Sequence, residues 1–138
     1  MKMTKPVVID GVEVDDYFID LEGNIWSKKG KTPKKLSPCY NKKTVYPVVN
    51  ISINGKTKLQ RVHRLVCLAW HELPTPNGIS KKVWKKTPIE VKELLKLLYQ
   101  VNHIDHDKHN FHPSNLEWVT AKENQKAYRI HSKNSALL

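Results

Sequence analysis

Val101-Asn102-His103-Ile104-Asp105-His106-Asp107-Lys108-His109-Asn110, followed by Asn115-Leu116-Glu117-Trp118-Val119-Thr120 and then Glu123-Asn124, is the stretch whose reading decides the fold. It reads as strand, polar loop, short strand and capped helix. Val101 anchors a strand that ends in Asn102-His103, and Leu116 and Val119 anchor a second. Thr120-Ala121-Lys122-Glu123 is a capping box, in which a hydroxyl and a carboxylate satisfy the first free N–H groups of a helix. That helix would carry Asn124, Ala127 and Tyr128 on one face. Folding the second strand back along the first sets Asn124 beside the end of the first strand. The side-chain oxygens of Asn102 and Asn124 could then share a hard cation, with the His103 imidazole adjacent.

Phosphodiester hydrolysis needs such a grouping. Mg²⁺ takes oxygen ligands, keeps several waters and binds phosphate. It stabilises charge developing on the phosphate and on the leaving 3′ oxygen. A neutral histidine, with an ordinary pKa of ~6.5, can take the proton of the attacking water near neutral pH. Its second nitrogen needs an orienting partner, a role suited to an amide or carbonyl near Asn115. A competing metal pattern occupies the same place. His103, His106, His109 and His112 recur every third residue, with Asp105 and Asp107 between them. Imidazole and carboxylate are zinc ligands, yet zinc signatures alternate short and long gaps, and an even ladder matches none of them.

Upstream, Val62, Leu65, Val66 and Ala69 follow a helical period, and Pro74 and Pro76 close that segment. His63 and Arg64 stand at its start; Arg64 could hold a phosphate near a cleaved bond or be a plain surface cation. Before the helix, Tyr46 to Ile53 and Lys56 to Val62 flank Asn54-Gly55, the strongest short-range hairpin signal. A two-residue turn there would set Lys58 opposite Ile51, and a bulge or longer loop would change that register. Tyr17-Phe18-Ile19-Asp20 and Ile25-Trp26-Ser27 flank Glu22-Gly23-Asn24 as another hairpin. Residues 1 to 16 read as a lead-in with a short strand and a turn at Asp10-Gly11, and residues 28 to 44 as a polar loop.

After the prolines, residues 77 to 86 read as an exposed lysine-rich loop. Thr87-Pro88-Ile89-Glu90 then signals a helix start. Val91, Leu94, Leu95 and Leu98 form an apolar stripe expected to pack on the core. Trp70 and Trp118 are expected core anchors.

The charge of the chain is uneven. Its 138 residues carry a formal net charge of +11, with 39% hydrophobic and 27% charged residues, as in a globular protein. No Asp or Glu occurs between Glu22 and Glu72, a span that holds Lys28, Lys29, Lys31, Lys34, Lys35, Lys42, Lys43, Lys56, Lys58, Arg61 and Arg64. An unopposed positive field of this length suits a polyanion such as nucleic acid. No apolar run approaches the ~20 residues of a membrane span, and the N-terminus lacks a secretory leader. Cys39 and Cys67 form no C-x-x-C pair, and Cys67 falls on the apolar helix face, so a reducing, intracellular setting is expected.

Residues 101 to 124 resemble the HNH nuclease motif in the form carried by phage and intron homing endonucleases. His103 takes the place of the first H, Asn115 of the central N, and Asn124 of the last position, on the helix. Val62-His63-Arg64-Leu65-Val66 with Ala69-Trp70 resembles the helix that precedes the motif in those proteins. Residues 17 to 64 resemble the small β-rich DNA-binding module often found upstream. The likeness runs from about residue 13 to 128, with 74 to 99 as an insertion.

The resemblance implies an α+β fold: residues 1–73 as a β-rich DNA-binding module with a helix over 62–71, 74–100 as an insertion with a helix over 88–99, 101–131 as the ββα-metal catalytic unit, and 132–138 as a frayed tail. It implies a metal-dependent endonuclease acting on double-stranded DNA, with His103 as general base. Asn102 and Asn124 would hold one Mg²⁺ or Mn²⁺ per site, and Asn115 would organise the loop and help to orient His103. Lys28, Lys29, Lys31, Lys34, Lys35, Lys56, Lys58, Arg61, Arg64 and Lys108 would face DNA. A monomer would nick, and a homodimer would cut both strands. No small-molecule cofactor and no membrane are implied, and the setting would be the bacterial cytoplasm, with a phage-associated gene. Two departures matter: many HNH enzymes have Asp where this chain has Asn102, and many have His where it has Asn124. Two neutral amide ligands are expected to hold Mg²⁺ weakly until DNA phosphate completes its shell. The same departure keeps open a rival reading, a catalytically silent DNA-binding protein that retains the ββα fold.

Overall fold

Two of the hairpins are closed by residue pairs that accept left-handed backbone. Asp10-Gly11 (φ 51° and 76°) joins β1 (Thr4–Ile9) to β2 (Val12–Asp20), and Asn54-Gly55 (φ 50° and 78°) joins β5 (Val48–Ile53) to β6 (Lys56–Arg61). Positive φ at both central positions gives the turn whose twist matches that of paired strands. The structure is a computed structural model, and it describes residues 3–40, 46–76, 78–95 and 98–126. At Asn54-Gly55 the two-residue turn sets Ile51 opposite Lys58, with Ile51 fully buried and Lys58 exposed.

β1 and β2 continue into β3 (Ile25–Ser27) and β4 (Lys34–Lys35) as an antiparallel sheet in the order β1-β2-β3-β4. Residues 4 to 16 are thus more than a lead-in. β1 pairs along β2, with a register shift between Pro6 and Val7, and Val7 is fully buried. Lys34 and Lys35, within the expected polar loop, pair with Ser27 and Trp26.

β6 runs without a break into α1 (Val62–Trp70), which buries Val62, Leu65, Val66 and Cys67. Burial pushes the Cys67 thiol up to about 12, so it is a core group and not a nucleophile. β7 (Tyr99–His103) and β8 (Leu116–Thr120) pair antiparallel and lead into α4, helical over residues 121–126. The capping box forms as expected: the Glu123 N–H donates to Thr120 Oγ1 at 3.2 Å, and that hydroxyl donates to the Glu123 carboxylate at 3.1 Å. One hydrophobic cluster draws on Val7, Ile19, Ile51, Leu65, Val101 and Trp118, so α1 lies between the N-terminal strands and the β7–β8 hairpin. The His71 ring nitrogen donates to the Pro113 carbonyl at 2.6 Å, and Trp118 Nε1 donates to the His71 carbonyl at 3.2 Å, tying the end of α1 to that hairpin.

The segment between α1 and β7 departs most from expectation. The lysine-rich run is not a loop: it forms α2 (Lys81–Lys86), capped by Ser80, whose hydroxyl accepts from the Val83 N–H at 3.2 Å. Trp84 anchors it by burial. α3 (Ile89–Leu95) follows, and the Thr87 hydroxyl donates back to the Val83 carbonyl of α2 at 2.9 Å. The apolar stripe does not pack on the core. Of its members, Val91, Leu94 and Leu98 are 43%, 68% and 61% exposed, and Leu95 is half-buried. Helical periodicity shows that a face is apolar, but not that another element arrives to cover it.

The β2–β3 turn also supports the long loop after β7. Gly23 has φ 86°, and a Cβ there would run into the Phe111 carbonyl. Gly23→Ala should therefore cost about 1–3 kcal/mol, read as a lower urea midpoint with an unchanged slope.

Candidate active site

His103 ends β7 opposite Leu116 and points inward, so that only 5% of it is exposed. Its Nε2 is buried without a hydrogen-bond partner. Beside it lies His63, from the first turn of α1, 6% exposed and with Nδ1 equally unpartnered. The two ring centroids are 5.1 Å apart, and the Tyr46 ring covers both at 4.5 Å from His63 and 5.7 Å from His103. Burial drives the His63 pKa down to about 3, and the nearby His103, which cannot share a second proton at this distance, and the cations Arg61 and Arg64 push the same way. Burial also lowers that of His103, and Asp105 and Asp107 pull the other way. Both rings are therefore neutral at pH 7, the form a proton acceptor needs.

Asn115 belongs to the 3₁₀ turn Pro113–Asn115 and is 9% exposed. Its Oδ1 accepts from the Asp105 N–H at 3.0 Å, and its Nδ2 donates to the Asp105 carboxylate and to the Asn110 carbonyl, each at 2.9 Å. Asp105 also accepts from Asn110 Nδ2 and from the Asp107 N–H, both at 2.8 Å, and these bonds hold its carboxyl below the usual range. The Asn115 amide is spent on organising the loop. Its link to His103 runs through the backbone, where the Asn115 carbonyl accepts from the Ile104 N–H at 2.8 Å.

Asn102 lies opposite Glu117, and its Nδ2 donates to Glu117 Oε1 at 2.8 Å. Asn124 Nδ2 donates to Gln100 Oε1 at 2.8 Å. Gln100 and Asn102 are two residues apart on β7, so they share a face with a spacing of roughly 6.5–7 Å. Asn124 thus comes to the face that carries Asn102. Both amides spend their N–H groups on neighbours, which leaves the oxygens as acceptors. This donor set suits a hard cation that keeps waters and takes phosphate. Among the described residues no group of three or more His, Cys, Asp or Glu converges as a metal cage. The histidine ladder is dispersed: His109 lies against Tyr40 at 4.6 Å, and His112 Nδ1 meets Ser114.

The expected DNA-facing cations divide into groups. Arg61 and Lys108 stand 5.6 Å and 5.5 Å over the Tyr46 ring, at the cover of the imidazole pair. Arg64 stacks on Trp118 at 5.3 Å and donates to the Tyr99 carbonyl at 3.5 Å. Lys28 lies over Phe18, and Lys29 lies over Tyr17 with its Nζ donating to the Ser52 carbonyl at 2.7 Å. Lys31, Lys34 and Lys35 are exposed. Lys56 and Lys58 share a groove with Asp10, Glu13, Asp15 and Asp16, so the acid-free span of sequence is not acid-free in space. Lys42, Lys43, Ala127, Tyr128 and the 132–138 tail lie outside the described residues.

Sequence reading passed over His63 and Tyr46 as members of this cluster. A histidine on the apolar side of α1, directly after Val62, was the available signal.

The β-β-α unit and the helix α1 before it form the part of the chain that a known family model matches. Residues 60–126 match the family model described as HNH endonuclease. A protein of Acanthamoeba polyphaga mimivirus described as an uncharacterized HNH endonuclease is 32% identical over 110 residues, which cover 80% of this chain and 26% of the relative. A solved structure of DNA binding and cleavage by the HNH homing endonuclease I-HmuI is similar with a TM-score of 0.62 at 26% identity, covering 98% of this chain and 65% of that one. The chain thus spans about a quarter of the viral relative and just under two thirds of I-HmuI. The α+β architecture agrees with that structure. No helix among the described residues is long and apolar enough to cross a membrane.

Proposed function

We propose that this chain is a metal-dependent endonuclease that hydrolyses phosphodiester bonds of double-stranded DNA, leaving 5′-phosphate and 3′-hydroxyl ends. The observation that supports the reading is a buried His103 with an unpartnered Nε2 at the end of β7, next in sequence to Asn102, which stands on the opposite, outer face of the strand with its oxygen turned away from Glu117. In this reading His103 accepts the proton of the attacking water. Asn115 holds the 104–110 loop in shape, and through it the end of β7. Asn102 and Asn124 would hold one Mg²⁺ or Mn²⁺, which would supply Lewis-acid stabilisation of the phosphate and the leaving oxygen. Arg61 and Lys108 meet the DNA backbone near the cut, and Lys28, Lys29, Lys31, Lys34, Lys35 and Arg64 extend the positive surface, whereas Lys56 and Lys58 lie in a groove whose four acidic residues offset their charge. Tyr46 lies over His103, so entry of DNA has to shift that ring.

One chain has one such site, so a monomer nicks one strand, and a double-strand cut takes a second copy or a second event. A phage-encoded protein acting in bacterial cytoplasm goes with this reading. Its rival is a silent DNA-binding protein, favoured only by the neutral amide at Asn102. Supercoiled plasmid distinguishes them. Nicked circles should form with Mg²⁺ or Mn²⁺ and not with EDTA. Plasmid that stays supercoiled with every divalent ion, while still being bound, leaves the rival standing.

A further inference from the structure

Asn102 and Asn124 are neutral ligands, and a divalent cation held by amide oxygens alone gains little from the protein. Glu117 sits beside them. It is exposed, directly opposite Asn102 across the β7–β8 ladder, and its Oε1 takes the Asn102 Nδ2 hydrogen bond at 2.8 Å. A carboxylate can only accept, so this bond allows the amide one orientation, with nitrogen toward Glu117 and oxygen away. Among the described residues the Asn124 amide meets the neutral Gln100 amide, a pair in which both partners can reverse together.

We propose that Glu117 is a positioning residue for the cation: its carboxylate turns the Asn102 oxygen outward and puts negative charge beside two uncharged ligands. The proposal rests on the nuclease reading above and adds a residue to it. A partner that orients a ligand and raises its basicity is a recurrent feature of metal sites. The charge is also costly here without a cation. A carboxylate on the face that meets phosphate repels it, and a divalent ion between them reverses the sign of the interaction.

The test is Mn²⁺ uptake, read from the loss of the free-ion paramagnetic resonance signal. It uses the full chain bound to duplex DNA in a His103→Ala background, so that the DNA stays intact. Glu117→Gln removes the charge and keeps a hydrogen-bond acceptor; Glu117→Ala removes both. Glu117 is exposed, so neither should move the melting temperature, and a purely structural role would leave Mn²⁺ affinity alone. The expected result is one Mn²⁺ per chain in the parent, with affinity lowered ~10-fold or more by Glu117→Ala and by a lesser but measurable factor by Glu117→Gln. Parental affinity in either variant overturns the proposal while leaving the nuclease reading intact. A parent complex that takes up no Mn²⁺ overturns the cation reading itself, and this proposal with it.

Discussion

His103→Ala should lower plasmid nicking by roughly 10²–10⁴-fold, the usual worth of a positioned general base, while DNA affinity in a gel shift stays near the parental value. The ring is buried and uncharged, so its removal takes no cation away from the DNA surface. The ordinary effect of deleting a buried side chain is a cavity, here between His63 and Tyr46. His103→Gln fills more of that space and retains polar atoms, but it cannot take up a proton near neutral pH. Both variants should therefore fail alike in nicking, even if their stabilities differ. Nicking by His103→Gln at the parental rate would place the proton acceptor elsewhere.

The second large effect is on stability. His63 is neutral in the folded protein down to about pH 3, whereas an unfolded chain protonates it near the ordinary 6.5. Between those values the unfolded state binds the extra proton, so stability falls as pH falls from about 6.5 to about 3. It is fully present above that window and levels off below it. The scale is set by roughly 1.4 kcal/mol per pH unit, for at most about 4–5 kcal/mol in all. Urea midpoints followed from about pH 7.5 down to about pH 4 should drop steeply in the parent and less in His63→Gln, which does not titrate. Parallel curves for the two would mean that the ring is charged in the folded protein.

Much of this was legible in sequence because the signals are local. Asp10-Gly11 and Asn54-Gly55 specify turns by their own backbone preferences, and Thr120 with Glu123 specifies a helix start. The placing of Asn124 on the Asn102 face follows from a two-strand fold-back and a helix register, both short-range. What escaped was set by distance in the chain. His63 meets His103 across 40 residues, and only the packing of α1 against β7 brings them together. The run from Glu22 to Glu72 looked purely basic until the β1–β2 hairpin delivered Asp10, Glu13, Asp15 and Asp16 to the groove that holds Lys56 and Lys58. α2 was hidden because four lysines mask the single Trp84 that anchors it. The apolar stripe misled in the opposite sense: the described helix ends at Leu95, short of Leu98, and Leu94 and Leu98 have the right spacing yet stay exposed.

The packing of α1 against both β1 and the β7–β8 hairpin, in one cluster with Val7 and Val101, has a consequence for inheritance. A two-stranded hairpin has too little apolar surface to stand alone, and here β7–β8 draws its missing layer from α1. Recombination that grafted the last forty residues onto a foreign N-terminal half would strip that layer away. Products of such a crossover would keep the side chains of the candidate site in their sequence and lose the scaffold that aligns them.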